Sequence, residues 1–515
     1  MEGFRVSAKI QQQHAKSKRR IERRLDKTKF KDSIPVLSGS NIHYEVSDRT
    51  RAISAGGLGM IHQMVGRLGL AETINRSVNL FKIYLPYSES DHVLNIAYNI
   101  MAGGTCLDHL ELRRNDEVYL DALGVQRIPD PTTAGDFCRR FTPADINSLQ
   151  KAFNETRTKV WKQQPDSFFE EAVIEADGTM VETTGECKQG IDINHKGQWG
   201  YHPLLVSLAN TGEPLYIVNR SGNRPSHEQA AEYFDRAAVL CQHAGFRHIK
   251  FRGDTDFTQT AHLDRWDEDD ITFIFGIDAM PNLYEKVDEL PETAWKKLRR
   301  SPRYQAKTEP RRRPKNAKQP IVEKREFKDI RLDAEYVAEF TYRPTKCRKD
   351  YRVVVVWKDL EVYQGQSKLF DDERCFFYIT NDLDSSPEQI VFEANRRCNQ
   401  EKLIEQQKNG VHAFTAPLDN LNSNWAYMVI ASLAWSLKAW SALLLPVTGR
   451  WQKKHTCEKQ QLLRMDFATY RNAVINIPAQ IVRTGRKIVY RMLAWNPWQV
   501  VFFRLVDRLK TIEHL

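Results

Sequence analysis

No Cys-x-x-Cys pair occurs in this sequence, and its eight cysteines are scattered along the chain. That pattern indicates neither a zinc ribbon nor a disulfide framework, so free thiols in a reducing compartment are expected. The N-terminus is basic but lacks the apolar core of a secretory signal. Long hydrophobic runs are also scarce. One stretch, AYMVIASLAWSLKAWSALLL over residues 426–445, is long enough to cross a bilayer, yet Lys438 sits well inside it. Ser432, Ser436 and Ser441 add polarity, so a buried core helix fits better than a membrane span. No internal repeat or long low-complexity tract is present. These absences point to a globular protein of the cytoplasm, with no membrane among its partners.

Charge, by contrast, is plentiful and uneven. The 515 residues are 41% hydrophobic and 28% charged, with a formal net charge of +10. That balance suits a large core divided over two to four domains. Residues 1–32 hold eleven Lys/Arg against four Asp/Glu, and residues 296–318 hold eleven against one, Glu309. The rest of the chain is therefore slightly acidic. Two concentrated basic segments on such a body suggest a polyanion partner. Arg19 and Arg20 would contact it from the first segment, and Arg311, Arg312 and Arg313 from the second. Solvated tails or loops have the same composition, and for either segment alone the two readings weigh equally.

Hydrophobic spacing divides the chain further. Residues 1–50 form a basic arm expected to order only on its partner. Residues 51–165 read as a helical DNA-binding domain. There GLGMIHQMVGRLGLAETI has apolar residues at helical spacing, and SESDHVLNIAYNIMAGG starts with Ser/Asp caps and stops at Gly-Gly. PDPTTAGDFCRRFT offers another start, capped by Thr132 or Thr133. Arg-rich ends such as LELRR and FCRRF could dock on DNA, although any helical bundle has such turns.

From residue 171 the period changes to that of strands. EAVIEADGT, GYHPLLVSLA and GEPLYIVNR precede a helix, SHEQAAEYFDRAAVLCQHAG, which Ser226 can cap and Gly245 can close. Then follow RHIKFRGD, the helical FTQTAHLDRWDEDD, and ITFIFGID. The order βββαβαβ predicts a mixed sheet with helices against it. Residues 166–284 are the first part of that core, and 285–373 read as a basic, β-rich insertion containing YRVVVVWKDLEVYQG. The core resumes over 374–415 with RCFFYITND and a long helix expected at 386–410. Residues 416–515 are expected to be helical.

Acidic residues close two of these strands. Asp177 follows VIEA, where an uncompensated carboxylate would cost several kcal/mol if desolvated. Asp254 follows IKFRG, and in a sheet of this order the fourth strand lies beside the first. The two aspartates would then stand at neighbouring positions, able to share a divalent ion. Arg252 or a backbone turn could instead neutralise Asp254, and Asp256 is most simply a helix cap or exposed turn residue. On the expected long helix, Ala394, Arg397, Glu401 and Lys408 fall within about 60° of one another on one face. Most such stripes are ion-paired surface. Glu405 shares the face as the second choice, and Glu393 points away.

With these residues in place, the chain resembles the group-1 DDE transposases of bacterial insertion sequences, which have an RNase H-like core split by a β-rich insertion. The resemblance covers most of the chain. It rests on ADGT, on GYHPLLVSLANTGEPLYIVNRSGNRPSHEQA, on FRGDTDF, and on YITND leading into the glutamate-bearing helix. Those transposases carry Tyr-x2-Arg-x3-Glu-x6-Lys, matched here by Arg397, Glu401 and Lys408, with Ala394 in place of the tyrosine. The spacings of 77 residues from Asp177 to Asp254, and 147 from there to Glu401, leave room for the insertion.

The resemblance implies an α/β protein with an RNase H-like mixed-sheet core, interrupted by the insertion and flanked by helical N- and C-terminal regions. It implies that Asp177, Asp254 and Glu401 are catalytic and hold two Mg²⁺ ions, which Mn²⁺ can replace. Arg397 and Lys408 would hold backbone phosphates. The activity implied is cut-and-paste transposition by a homodimer on double-stranded DNA, at inverted-repeat ends and at the target. It also implies a hairpin intermediate with a flipped base. Trp357 could stack on such a base, although a core tryptophan fits VVVVW better. An RNase H-like nuclease without strand transfer, and a domesticated DNA-binding protein that no longer cuts, are the alternatives.

Overall fold

The computed structural model describes residues 7–26, 42–44, 50–81, 86–300, 319–325, 328–364, 367–485 and 487–512. The chain divides into two compact units. A sheet unit comprises Glu170–Asp177 and Pro225–Glu401, and a helical unit comprises Met1–Phe169, Gly178–Arg224 and Lys402–Leu515.

In the sheet unit, β1 (Glu171–Gly178) is buried from Ala172 to Ala176, as a strand covered on both faces must be. It pairs in parallel with β2 (His248–Gly253), which pairs in parallel with β3 (Ile271–Ile277). The crossovers are α1 (Ala230–Ala244) and α2 (Thr260–Glu268). Phe234 of α1 and Trp266 of α2 meet Phe251 and Phe275 in one aromatic cluster on the sheet. β4 (Lys328–Tyr342), β5 (Tyr351–Gln364) and β6 (Ser367–Thr380) form an antiparallel ladder, and β6 pairs with β3. The segment expected as an insertion therefore extends the core sheet, and residue 373 falls inside β6 rather than at a boundary. Val354 and Val356 of β5 pack with Ile274 against Ile390, Val391 and Ala394. These last belong to α3 (Pro387–Asn395), whose N-terminus Ser386 caps.

The single helix expected over 386–410 is broken. Arg396 and Arg397 form a turn, α4 spans Cys398–Glu405, and a π turn occupies Gln406–Gly410. Periodicity alone runs through such breaks, because each piece retains its own apolar side.

The helical unit is built around Leu421–Leu443. All residues from Ser423 to Leu443 are buried in it. This helix packs on Glu89–Met101, Pro131–Arg139 and Pro143–Trp161. Its lysine is accommodated within protein: Lys438 Nζ donates to the Leu463 carbonyl at 2.9 Å and lies 3.7 Å from the Trp435 ring centroid. Burial pushes that ammonium down to about 7. The buried Arg157 guanidinium pairs with Glu213 of the hairpin Leu204–Leu208 and Glu213–Val218.

Several local expectations change. Ala8–Asp26 is a helix, as its run of strong helix formers favours. Asp130, not Thr132 or Thr133, caps the helix at Pro131. The helix after SHEQ begins at Ala230, so Ser226 is not its cap, whereas Gly245 does close it at φ 108°. The C-terminal region is not wholly helical either. Ala479–Thr484 and Lys487–Met492 form an antiparallel hairpin that also takes up Ala52–Ile53. The alternating β-branched residues of IVRTGRKIVY are the signal for it.

Candidate active site

The parallel register of β1 and β2 places the candidate aspartates. Glu175 stands opposite Arg252, the last pair of the ladder, and Asp177 and Asp254 each lie two residues further along. Side chains two apart share a strand face. Within the ladder, Glu175 is 2% exposed and accepts from Arg252 Nε at 2.7 Å. Burial pushes the Glu175 carboxyl up to about 7, against the pull of Arg252. Arg252 Nη1 also donates to the Glu393 carbonyl at 2.9 Å and pairs with its carboxylate. Arg252 is thereby committed to Glu175 and Glu393, and Asp254 takes its cation from elsewhere.

That cation is Arg397. Its Nη1 lies 3.4 Å from Asp254 Oδ2 and 3.9 Å from Glu401 Oε1, so one guanidinium sits between two of the expected carboxylates. The break between α3 and α4 puts it there, since Arg397 occupies the turn itself. Asp254 also caps the short turn Thr255–Phe257, accepting from the Asp256 amide at 3.1 Å. Burial raises the Asp254 carboxyl above its ordinary range; Arg397 opposes this, while the charges of Asp256 and Glu401 add to it. Asp177 is half-buried at the strand end, and Asp256 is exposed.

The remaining expected residues are distributed as follows. Ala394 is 5% exposed in the sheet core, so the tyrosine position of the motif faces hydrophobic packing here. Glu405 is exposed, within 3.3 Å of Asn409 Nδ2. Lys408 lies on the π turn of the helical unit, its Nζ donating to the Met180 carbonyl at 2.9 Å. Arg19 and Arg20 lie on the Ala8–Asp26 helix, lining an open groove with Lys16, Arg23 and Arg24. Arg311, Arg312 and Arg313 lie outside the described residues. Trp357 is half-buried, with ring centroids 5.6 Å from Trp295 and 5.7 Å from Tyr336. Sequence reasoning missed the roles of Glu393 and Arg396, which carry charge balance behind the site; an Arg-Arg pair at a helix end was the available signal.

Among the described residues, no group of three His, Cys, Asp or Glu side chains is gathered closely enough to hold a metal ion. The donor chemistry nevertheless suits a hard divalent cation. Asp254 and Glu401 offer carboxylate oxygens to one shared positive charge, and Asp254 remains imperfectly compensated.

The model of the group-1 transposase DDE domain matches residues 35–514. The chain belongs to that transposase family. Its architecture is mixed α/β, with one large mixed sheet and many helices. A search of curated proteins finds no match. Among solved structures, the chain is similar to the piggyBac transposase synaptic complex with hairpin DNA, determined by cryo-electron microscopy. The identity is 11% and the TM-score 0.34, over 91% of this transposase-family chain and 87% of the other.

Proposed function

We propose that the chain is an active cut-and-paste transposase of a bacterial insertion sequence, working in the cytoplasm as a homodimer on paired element ends. The observation that carries this reading is the Arg397 guanidinium held between Asp254 and Glu401, beyond the end of the strand pair that also carries Asp177. Mg²⁺ or Mn²⁺ ions held by Asp177, Asp254 and Glu401 would supply an activated attacking oxygen and stabilise the leaving 3′ oxygen. Arg397 holds the two carboxylates together and presents the rest of its planar fork to a phosphodiester. Lys408 offers a point charge to the same class of ligand. Arg19 and Arg20, on an exposed basic helix, add sequence-independent contacts to double-stranded DNA.

The test is a labelled duplex carrying the DNA that flanks the coding region, incubated with full-length protein and Mg²⁺, with a second unlabelled duplex as target. Nicking at the element end followed by joining to the target is expected. Nicking without joining would leave an RNase H-like nuclease. Binding without nicking would leave a DNA-binding derivative and overturn the catalytic assignment.

A further inference from the structure

At the end of the helix Glu89–Met101, two arginines from distant parts of the helical unit meet at one turn. Arg113 Nη2 donates to the Ala102 carbonyl at 3.0 Å. The guanidinium of Arg471 occupies the space that a side chain on Gly103 would need, and Gly103 has φ +105°, where glycine is favoured. Two positions further on, the Thr105 amide donates to His109 Nδ1 at 3.1 Å. That contact leaves the proton of the neutral ring on Nε2, as a donor. His412 adopts a left-handed backbone, φ 52°, just after the π turn Gln406–Gly410, and Arg471 begins a second π turn, Arg471–Ile475. Strained residues and π turns concentrate at functional sites.

The two guanidinium groups are of one sign. Burial and then Arg113 lower Arg471, and burial, Arg471 and His109 lower His412. Neither Arg113 nor Arg471 forms an ion pair among the described residues, and the Nε of each is buried without a hydrogen-bond partner. Among those residues the Arg471 guanidinium donates to nothing. Two guanidinium groups brought to one turn, each with its Nε unused, carry both a repulsion and an unmet desolvation cost. An oxyanion with several acceptor lone pairs relieves both. All four side chains are half-buried, so the turn is open to solvent.

We propose that this turn is a phosphate-binding site, in which Arg113, Arg471 and His109 grip one phosphate group, with Gly103 kept free of a side chain so that the Arg471 guanidinium can sit against the turn. Resting on the transposase reading, the phosphate is one of the DNA backbone.

Two measurements on the full-length protein test this. In thermal melts at equal ionic strength, inorganic phosphate raises the Tm of the wild-type protein above its value in chloride. The shift disappears in the double variant Arg113→Gln, Arg471→Gln, whose own Tm in chloride stays at or above wild type because the repulsion has gone. In titrations with a labelled duplex over a range of KCl, the double variant lowers the slope of log K against log[salt] by about 1, the loss of one phosphate contact. Where the double variant melts early, Arg471→Gln alone gives the same readings with the Ala102 bond intact. A phosphate-specific Tm shift with an unchanged DNA slope assigns the site to a free phosphate compound. Equal phosphate shifts in wild type and variant, with an unchanged slope, overturn the site. Neither measurement reads cleavage, so a chain that binds in this way yet never cuts sinks the catalytic proposal alone.

Discussion

Within one strand pair, two residues separate a closed charge cluster from an open one. Inside the β1–β2 ladder, Glu175 and Glu393 face Arg252, and Arg396 completes the set, so two acids meet two cations. Beyond the end of the ladder, Asp254 and Glu401 share Arg397, with Asp256 adding a further negative charge. The side chain of Glu175 is 2% exposed and that of Glu401 59%. Balanced charge around a buried guanidinium is a frame; unbalanced, wet charge at a strand end is a place for a ligand. The turn at Gly103 shows the same imbalance with the opposite sign.

The largest expected effect is on the open cluster. Asp177→Asn, Asp254→Asn and Glu401→Gln should each reduce Mg²⁺-dependent nicking and joining to background, while DNA binding in a mobility-shift assay stays or tightens as a negative charge is lost. A dead Glu405→Gln beside a normal Glu401→Gln would move the site one turn along the chain.

The closed cluster should fail differently. Arg252→Ala leaves Glu175 buried without its cation, and denaturant melts should lose about 3–5 kcal/mol. Arg397→Ala, at the exposed end, should cost under about 1 kcal/mol. Equal losses would erase the distinction between frame and site.

A smaller effect comes from the ion itself. Mg²⁺ at about a hundred times its Kd should stabilise the wild-type fold by roughly 2.7 kcal/mol. Glu401→Gln should shrink that gain, and a gain of the same size in the variant would place the ion elsewhere.

pH gives a subtler contrast. The Asp254 carboxyl is raised in the fold, chiefly by burial, so its charged form is the disfavoured one. The stability linked to it is complete below the ordinary aspartate range and is lost as pH rises through the raised folded value. Metal-free Asp254→Asn should therefore melt above wild type at neutral pH, with the advantage vanishing on acidification. An advantage that grows on acidification would reverse the assigned direction. Smallest of all, Glu405→Gln should change stability by less than about 0.5 kcal/mol and retain activity.

Much of the fold was legible because strand and helix periods are written into neighbouring residues. VIEA, IKFRG and ITFIFG announced the parallel strands, and the acids that follow two of them announced a candidate site. The breaks were not legible. Arg396 and Arg397 continue the helical pattern of their surroundings, yet α3 ends before them. The C-terminal hairpin was overlooked because the helical stretches around it are longer and stronger.

The sequence by itself determined the succession of the main core strands, the acids at the strand ends, the basic character of the N-terminal segment and the family to which the chain belongs. Tertiary structure alone decided which charges are compensated. Arg252 reaches Glu175 across 77 residues of sequence, and Arg397 reaches Asp254 across 143. Compensation is a through-space quantity, fixed by which side chains end within a few ångströms of each other and how much water remains between them. No local pattern encodes it, so Arg252 and Arg397, both arginines beside acids in the sequence, could be told apart only once the chain had folded.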